Sequence, residues 1–138
     1  MTSGLDAIRD EFLAVGERER LLLLLEYADD LPPLPARFGE HPELLERVTE
    51  CQAPVFVAVE VVDGEVAVHA QAPQEAPTTR GFASVLAHGL NGLSRDDALA
   101  VPDDFPDTLG LAGAVSPLRL RGMSGLLQRI KRQLRATA

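Results

Sequence analysis

Apolar and polar positions alternate most regularly between Val55 and Ala70. Val55, Val57, Val59 and Val61 share one side of an extended chain, and Asp63-Gly64 then reads as a two-residue hairpin turn. Across that turn Val61 pairs with Val66, Val59 with Val68 and Val57 with Ala70. This face needs helices packed on it. Phe56, Glu60, Glu65, His69 and Gln71 lie on the opposite face, which is expected to be at least partly wet. Two strands alone are marginal in water, so a third is expected, with Val48-Thr49 as its candidate.

Helical periods flank the hairpin. Leu5, Ile8, Phe12 and Leu13 mark a first helix, with Thr2 or Ser3 as its cap, and Gly16 interrupts it. Glu17 to Leu31 reads as a second helix, largely buried because its leucine run exceeds one face, and ended by Pro32-Pro33. Pro32 to Glu46 shows no clean period and reads as an irregular surface connection with one helical turn at Pro42 to Glu46. After the hairpin, Thr78 or Thr79 is predicted to cap a helix reaching about His88, with Phe82, Val85 and Leu86 inward and Gly89 and Gly92 ending it. Ser94 opens a short helix to Leu99. Val101 to Leu111, with Pro102 and Pro106, reads as a loop holding at most one helical turn. Ser116 caps the last helix with Pro117 at its first position, and Met123, Leu126, Leu127, Ile130 and Leu134 form its buried stripe. The order predicts an α+β fold, a small antiparallel sheet packed on one face by helices.

Length and charge narrow the picture. A chain of 138 residues is one domain by length, and with 46% hydrophobic residues it holds enough apolar side chains for a real core. The absence of Trp makes that core mostly Leu, Val and Ala. No apolar run approaches a membrane span and no basic-then-apolar leader is present, so a cytoplasmic, non-membrane protein is expected. Net charge is −8, and all 21 acidic residues lie at or before Asp107, whereas six basic residues follow it. No aromatics interleave these bases. They are therefore expected to complement an acidic body or partner, and no nucleic acid partner is expected.

The chemistry centres on Cys51, the only cysteine, so an internal disulfide is excluded. It precedes the hairpin, and Pro54 restricts Ala53 to extended or turn backbone. A lone cysteine often serves as a small buried hydrophobe. The polar neighbours Thr49, Glu50 and Gln52 suit a loop and leave room for a reactive thiol. The histidines His41, His69 and His88 stand apart in sequence and no Cys-x-x-Cys occurs, so no metal or cluster site is expected. No glycine-rich loop follows a strand, which gives phosphate or dinucleotide binding no support. A Cys–His hydrolase would need His69, but that residue, opposite Ala58, does not reach Cys51 without a bend.

The segment Val48-Thr49-Glu50-Cys51-Gln52-Ala53-Pro54-Val55-Phe56-Val57 resembles the Cys-Gln loop of the SufE family. Arg80-Gly81 after the hairpin and Ser116-Pro117-Leu118-Arg119-Leu120-Arg121-Gly122 before the last helix extend the likeness over nearly the whole chain. Two positions depart from the family pattern: Glu50 stands where Gly is usual and Ala53 where Ser is usual. Glu50 places a negative charge beside the thiol and removes a glycine hinge. The resemblance implies a SufE/IscU-like fold and a sulfur acceptor. Cys51 would take persulfide sulfur from a pyridoxal-phosphate cysteine desulfurase, stimulate that enzyme, and pass sulfur to an iron–sulfur cluster assembly scaffold. It implies an accessory protein, a monomer or homodimer, with no cofactor of its own. Arg119 matches an arginine that would support the thiolate, although its residues alone fit a first-turn arginine that packs or pairs with an acid equally well. Glu50, Gln52 and Glu75 fall where a partner would dock, and Glu75 alone reads as a solvated loop carboxylate. Two other classes stand beside this reading: a non-catalytic adaptor with a structural Cys51, and a Cys-dependent hydrolase.

Overall fold

The computed structural model describes residues 4–137. The chain runs α1 (Gly4–Leu13), α2 (Glu17–Asp29), α3 (Ala36–Glu40), a 3-10 turn (Pro42–Leu44), β1 (Glu46–Arg47), β2 (Phe56–Val62), β3 (Glu65–Gln71), α4 (Pro77–Leu90), α5 (Arg95–Leu99), a second 3-10 turn (Phe105–Leu109) and α6 (Pro117–Ala136). This is the expected α+β architecture: a three-stranded antiparallel sheet ordered β1-β2-β3 with helices packed against it. The caps expected at Thr2 or Ser3 fall outside the described residues. No helix among the described residues is long and apolar enough to cross a membrane.

The hairpin has the register its alternation predicts. Val57 pairs with Ala70, Val59 with Val68 and Val61 with Val66. Asp63 and Gly64 both take positive φ, 53° and 81°, the geometry that lets a two-residue turn follow the strand twist. Val57, Val59, Val66, Val68 and Ala70 are buried beneath α4 and α6, and Val61 is half-buried. In α6, all five residues of the predicted stripe are buried. Ser116 caps that helix by accepting the Arg119 N–H at 3.3 Å, and Ser94 caps α5 by accepting the Asp97 N–H at 3.1 Å.

The third strand lies earlier than expected. It is Glu46–Arg47, paired with Val57 and Phe56, and Val48-Thr49 does not extend it. The Val48 N–H still reaches the Val55 carbonyl at 2.8 Å. Thr49-Glu50 then turns the chain off the sheet. Beyond so short a strand the edge of β2 would be left open. Gln133 on α6 closes it, accepting the Val59 N–H at 2.8 Å and donating to the Val57 carbonyl at 3.2 Å.

Other expectations need correcting. The Pro32 to Glu46 connection is not merely irregular: α3 inserts Phe38, 3% exposed, against the outer face of the sheet, with its ring 5.0 Å from that of His69. That face is therefore partly covered, and Ala58 on it is buried. A five-residue helix with one anchoring aromatic leaves no periodic signal. The leucine run of α2 is not largely buried either. Only Leu24 and Ala28, one turn apart, are buried there, and Leu22 is 54% exposed, because α2 packs through a single stripe. Helix α2 also stops at Asp29, before Leu31. Helix α4 begins at Pro77 with no side-chain cap and runs through Gly89 to Leu90. Pro77 takes the first helical position, where its fixed φ suits the helix, so Thr78 and Thr79 fall inside the helix and the cap position holds Ala76, which has no side-chain acceptor. Arg80 donates to the carbonyls of Ala28 at 2.9 Å and Ala72 at 2.6 Å, tying the end of α2 to the exit of β3.

The covered outer face yields a test. Replacing Phe38 by Ala should cost about 3 kcal/mol in urea unfolding, the range for a buried aromatic truncated to Ala. A loss near zero would mean that α3 only decorates the surface.

Candidate functional site around Cys51

Cys51 sits on a bend between the β1 exit and β2, and its backbone N–H donates to the Val48 carbonyl at 3.2 Å. The bend lies against α6. Two glycines of that helix face it, and Gly125 is the one that the approach requires. A Cβ added at Gly122 would stand 3.5 Å from Cys51 Sγ and 3.4 Å from the Glu50 carbonyl oxygen, and one at Gly125 would stand 2.6 Å from Glu50 Cβ. The first two distances are ordinary van der Waals contact and the last is a clash, so the missing Cβ at Gly125 opens the groove in the helix surface that receives the turn.

So seated, the thiol is 8% exposed and donates to the Gly122 carbonyl at 3.6 Å. Burial pushes its pKa from 9.0 up to about 11, the Glu50 carboxylate adds to the rise, and the Arg129 guanidinium opposes it. Glu50 itself is held below the usual carboxylate range. Burial works against this, but the hydrogen bond from Arg129, a backbone hydrogen bond, the positive charge of Arg129 and a bond from Thr49 outweigh it.

The cysteine forms part of the wall of a cavity of about 250 Å³. Phe82 from α4 and Met123 and Leu126 from α6, all buried, give it an apolar base. Glu50, Gln52 and Ala53 continue the cysteine's wall, Glu75, Ala76 and Thr79 supply the α4 side, and Leu118 and Arg119 lie at the exposed rim. All five residues singled out in the sequence, Cys51, Glu50, Gln52, Glu75 and Arg119, therefore line one cavity.

Arg119 stands at the rim of that cavity, in the first turn of α6. Its guanidinium donates to the Thr78 hydroxyl on α4 rather than pairing with an acid. The cation acting on the thiol is Arg129, which the sequence reading passed over. Gly122, Gly125 and Arg129 stand at i, i+3 and i+7, one face of a helix, and that spacing was the signal available. The apolar base of Phe82 and Met123 was likewise readable only as core.

No histidine lines this cavity. His69 pairs with Glu60 at 2.9 Å, with Arg37 also on that carboxylate, on the sheet face that Phe38 covers. His88 Nε2 lies 3.1 Å from the Asp30 carbonyl and His41 Nδ1 3.1 Å from Glu43. A Cys–His hydrolase has no base within reach here. Among the described residues no group of three or more His, Cys, Asp or Glu is arranged to hold a metal ion.

A sequence model of the SufE family, described as an Fe-S metabolism associated domain, matches residues 6–134. The chain belongs to the SufE family. An uncharacterised SufE-like protein of Mycobacterium tuberculosis strain H37Rv is 52% identical over 136 residues, spanning 98% of this chain and 94% of the relative. SufE-like protein 1, chloroplastic/mitochondrial, of Arabidopsis thaliana is 29% identical over 110 residues, 80% of this chain but 29% of that longer protein. The solution structure of a hypothetical protein from Thermus thermophilus superposes with a TM-score of 0.85 at 39% identity, covering 99% of this chain and 97% of that one. Membership gives the SufE chain a role in sulfur transfer for Fe–S metabolism and implies interaction with a cysteine desulfurase.

The raised thiol pKa sets an expected pH profile. Thiolate is the reactive form, so alkylation of Cys51 should still be climbing beyond pH 9 and reach half its maximum only near pH 11. A midpoint at or below pH 9, the behaviour of an open thiol, would contradict the buried setting.

Proposed function

We propose that Cys51 is the acceptor of persulfide sulfur from a pyridoxal-phosphate cysteine desulfurase, that the protein stimulates that enzyme, and that it hands the sulfur on to a cluster assembly scaffold. The observation that carries the reading is the seat of Cys51. The chain's only thiol opens onto a cavity of about 250 Å³ with a buried apolar base. That is room for one further sulfur atom, kept away from oxidants and reductants between transfers.

The chemistry needs little beyond this. The Cys51 thiolate attacks the outer sulfur of the donor's persulfide. A new S–S bond forms at Cys51 as the donor's S–S bond breaks, and the donor leaves as a thiolate. The terminal proton travels with the transferred sulfur, and no net oxidation or reduction occurs. The lack of any other cysteine suits a carrier, because a neighbouring thiol would attack the persulfide and discharge it. Delivery to the scaffold is the same exchange with Cys51 as the leaving group. A reducing, cytoplasmic setting fits the single free thiol.

Glu50, Gln52 and Glu75 surround the cavity and are proposed as the surface a partner meets, with Arg119 at its rim as support for the anionic sulfur. A thiolate must come within bonding distance of the donor's sulfur, so the face bearing this cavity is the docking face.

The burial of Cys51 also fits a second reading, an adaptor in which the thiol merely packs. Replacing Cys51 by Ser separates the two, since a hydroxyl keeps the size but cannot hold a persulfide. Incubated with desulfurase and cysteine, the natural protein should gain the mass of one sulfur atom on Cys51. Cys51→Ser should keep its fold and partner binding, gain no mass, and lose stimulation. Full stimulation by Cys51→Ser would establish the adaptor instead.

A further inference from the structure

The turn that carries Cys51 is fastened to α6 through one side chain. Arg129 Nε donates to Glu50 Oε1 at 2.6 Å, its Nη2 donates to Thr49 Oγ1 at 2.8 Å, and its Nη1 donates to Glu46 Oε2 at 2.6 Å. The guanidinium thus joins the two residues before the cysteine to the base of β1. Its side chain is 17% exposed, whereas Glu50 and Thr49 reach solvent, so the guanidinium is half-covered and the turn's side of the bonds is open to water.

Glu46 has other partners. Arg132 also bonds it, and Gln133 Nε2 donates to it at 2.9 Å. The strand end therefore stays fixed to α6 without Arg129, whereas the Thr49 and Glu50 side chains are bonded to α6 through Arg129 alone among the contacts described. Only the Gly122 carbonyl, accepting from the thiol itself at 3.6 Å, adds to that hold. Lifting the turn out of the Gly122–Gly125 groove requires breaking the bonds from Arg129 to Glu50 and Thr49.

We infer that Arg129 is a positioning residue, a latch that holds the Cys51 turn in the α6 groove and must let go of Glu50 before the thiol is presented to a partner. This deepens the sulfur-acceptor reading and rests on it for its purpose, though not for its test. Glu50 is the latch's other half. A residue without a carboxylate at that position would leave Arg129 only the Thr49 hydroxyl as its hold on the turn.

Charge and latching predict different signs, which makes the inference testable without any partner. Arg129 favours the thiolate and Glu50 disfavours it. Were charge all that mattered, Glu50→Gln would speed alkylation of Cys51 by iodoacetamide and Arg129→Gln would slow it. A latch predicts that both speed it, because either change frees the turn. Arg129→Gln should be faster by about tenfold, the order expected from losing a charge-assisted hydrogen bond. The double variant should be little faster than the faster single one, because both remove the same contact. Arg129→Lys keeps the charge but not the fork that serves three acceptors at once. It too should speed alkylation if the latch is real, and leave it unchanged if only charge counts.

Hydrogen exchange locates the effect. The amides of residues 49–53 should exchange faster in the Arg129 variants while those of β2 and β3 stay as they are. Should Arg129→Gln loosen the sheet as well, Arg129→Lys decides the matter. Slower or unchanged alkylation in Arg129→Lys overturns the latch. Because no desulfurase enters the assay, the two ideas fail separately. Absence of sulfur uptake at Cys51 in the natural protein would overturn the sulfur-acceptor reading and leave these rates standing. Intact uptake with unaltered rates would overturn the latch alone.

Discussion

The structure depends on how closely one turn approaches one helix. The Glu50–Cys51 bend can lie this close to α6 because position 125 carries no Cβ. An added methyl at Gly125 would stand 2.6 Å from Glu50 Cβ, well inside van der Waals contact. From this seating follow the burial of the thiol, its bond to the Gly122 carbonyl, its raised pKa and the enclosure of the cavity beside it. Desolvation dominates the electrostatics here. Arg129 lowers the thiol pKa, yet burial and Glu50 together outweigh it and leave the resting cysteine protonated near neutral pH. A protonated thiol is a poor nucleophile, so the resting state favours storage over attack.

Charge is partitioned so that the same helix can hold the turn. Three of the six basic residues that follow Asp107 pair with acids of the preceding body, which carries all 21. Arg129 and Arg132 meet Glu46, Arg129 also meets Glu50, and Lys131 meets Asp103 at 2.8 Å. Each of these pairs has at least one partner that reaches solvent, and pairs reached by water contribute little to stability, on the order of 0–1 kcal/mol each. Their value is geometric. They set the rotation of α6 about its axis, and with it which residues face the Cys51 turn. Gln133 serves the same end by completing the open edge of β2.

The parts of this fold that could be read from sequence are those built on local periodicity. The hairpin register, the Asp63-Gly64 turn, the stripe of α6 and the caps at Ser94 and Ser116 follow from alternation, helical spacing and side-chain chemistry within a few residues. The parts that could not be read depend on distant contacts. One aromatic, Phe38, makes a five-residue helix worth forming because it meets a sheet face whose His69 ring lies 31 residues on in sequence. The third strand stops at Arg47 because the chain must turn there to reach α6. At the site, Cys51 drew notice because it is the only cysteine and stands in a polar segment before a rigid hairpin. Arg129 did not, because nothing local distinguishes it from its basic neighbours; only the three-dimensional meeting with Glu50, 79 residues away, does so.

A sheltered thiol that must nevertheless reach a second protein implies that docking opens the turn. The direct measurement is the alkylation rate of Cys51 at neutral pH with and without a cysteine desulfurase whose own catalytic cysteine has been replaced, so that no sulfur is transferred. The account predicts slow alkylation of the free protein and a clear acceleration when the inert desulfurase is added. Fast alkylation of the free protein, unchanged by the desulfurase, would contradict it.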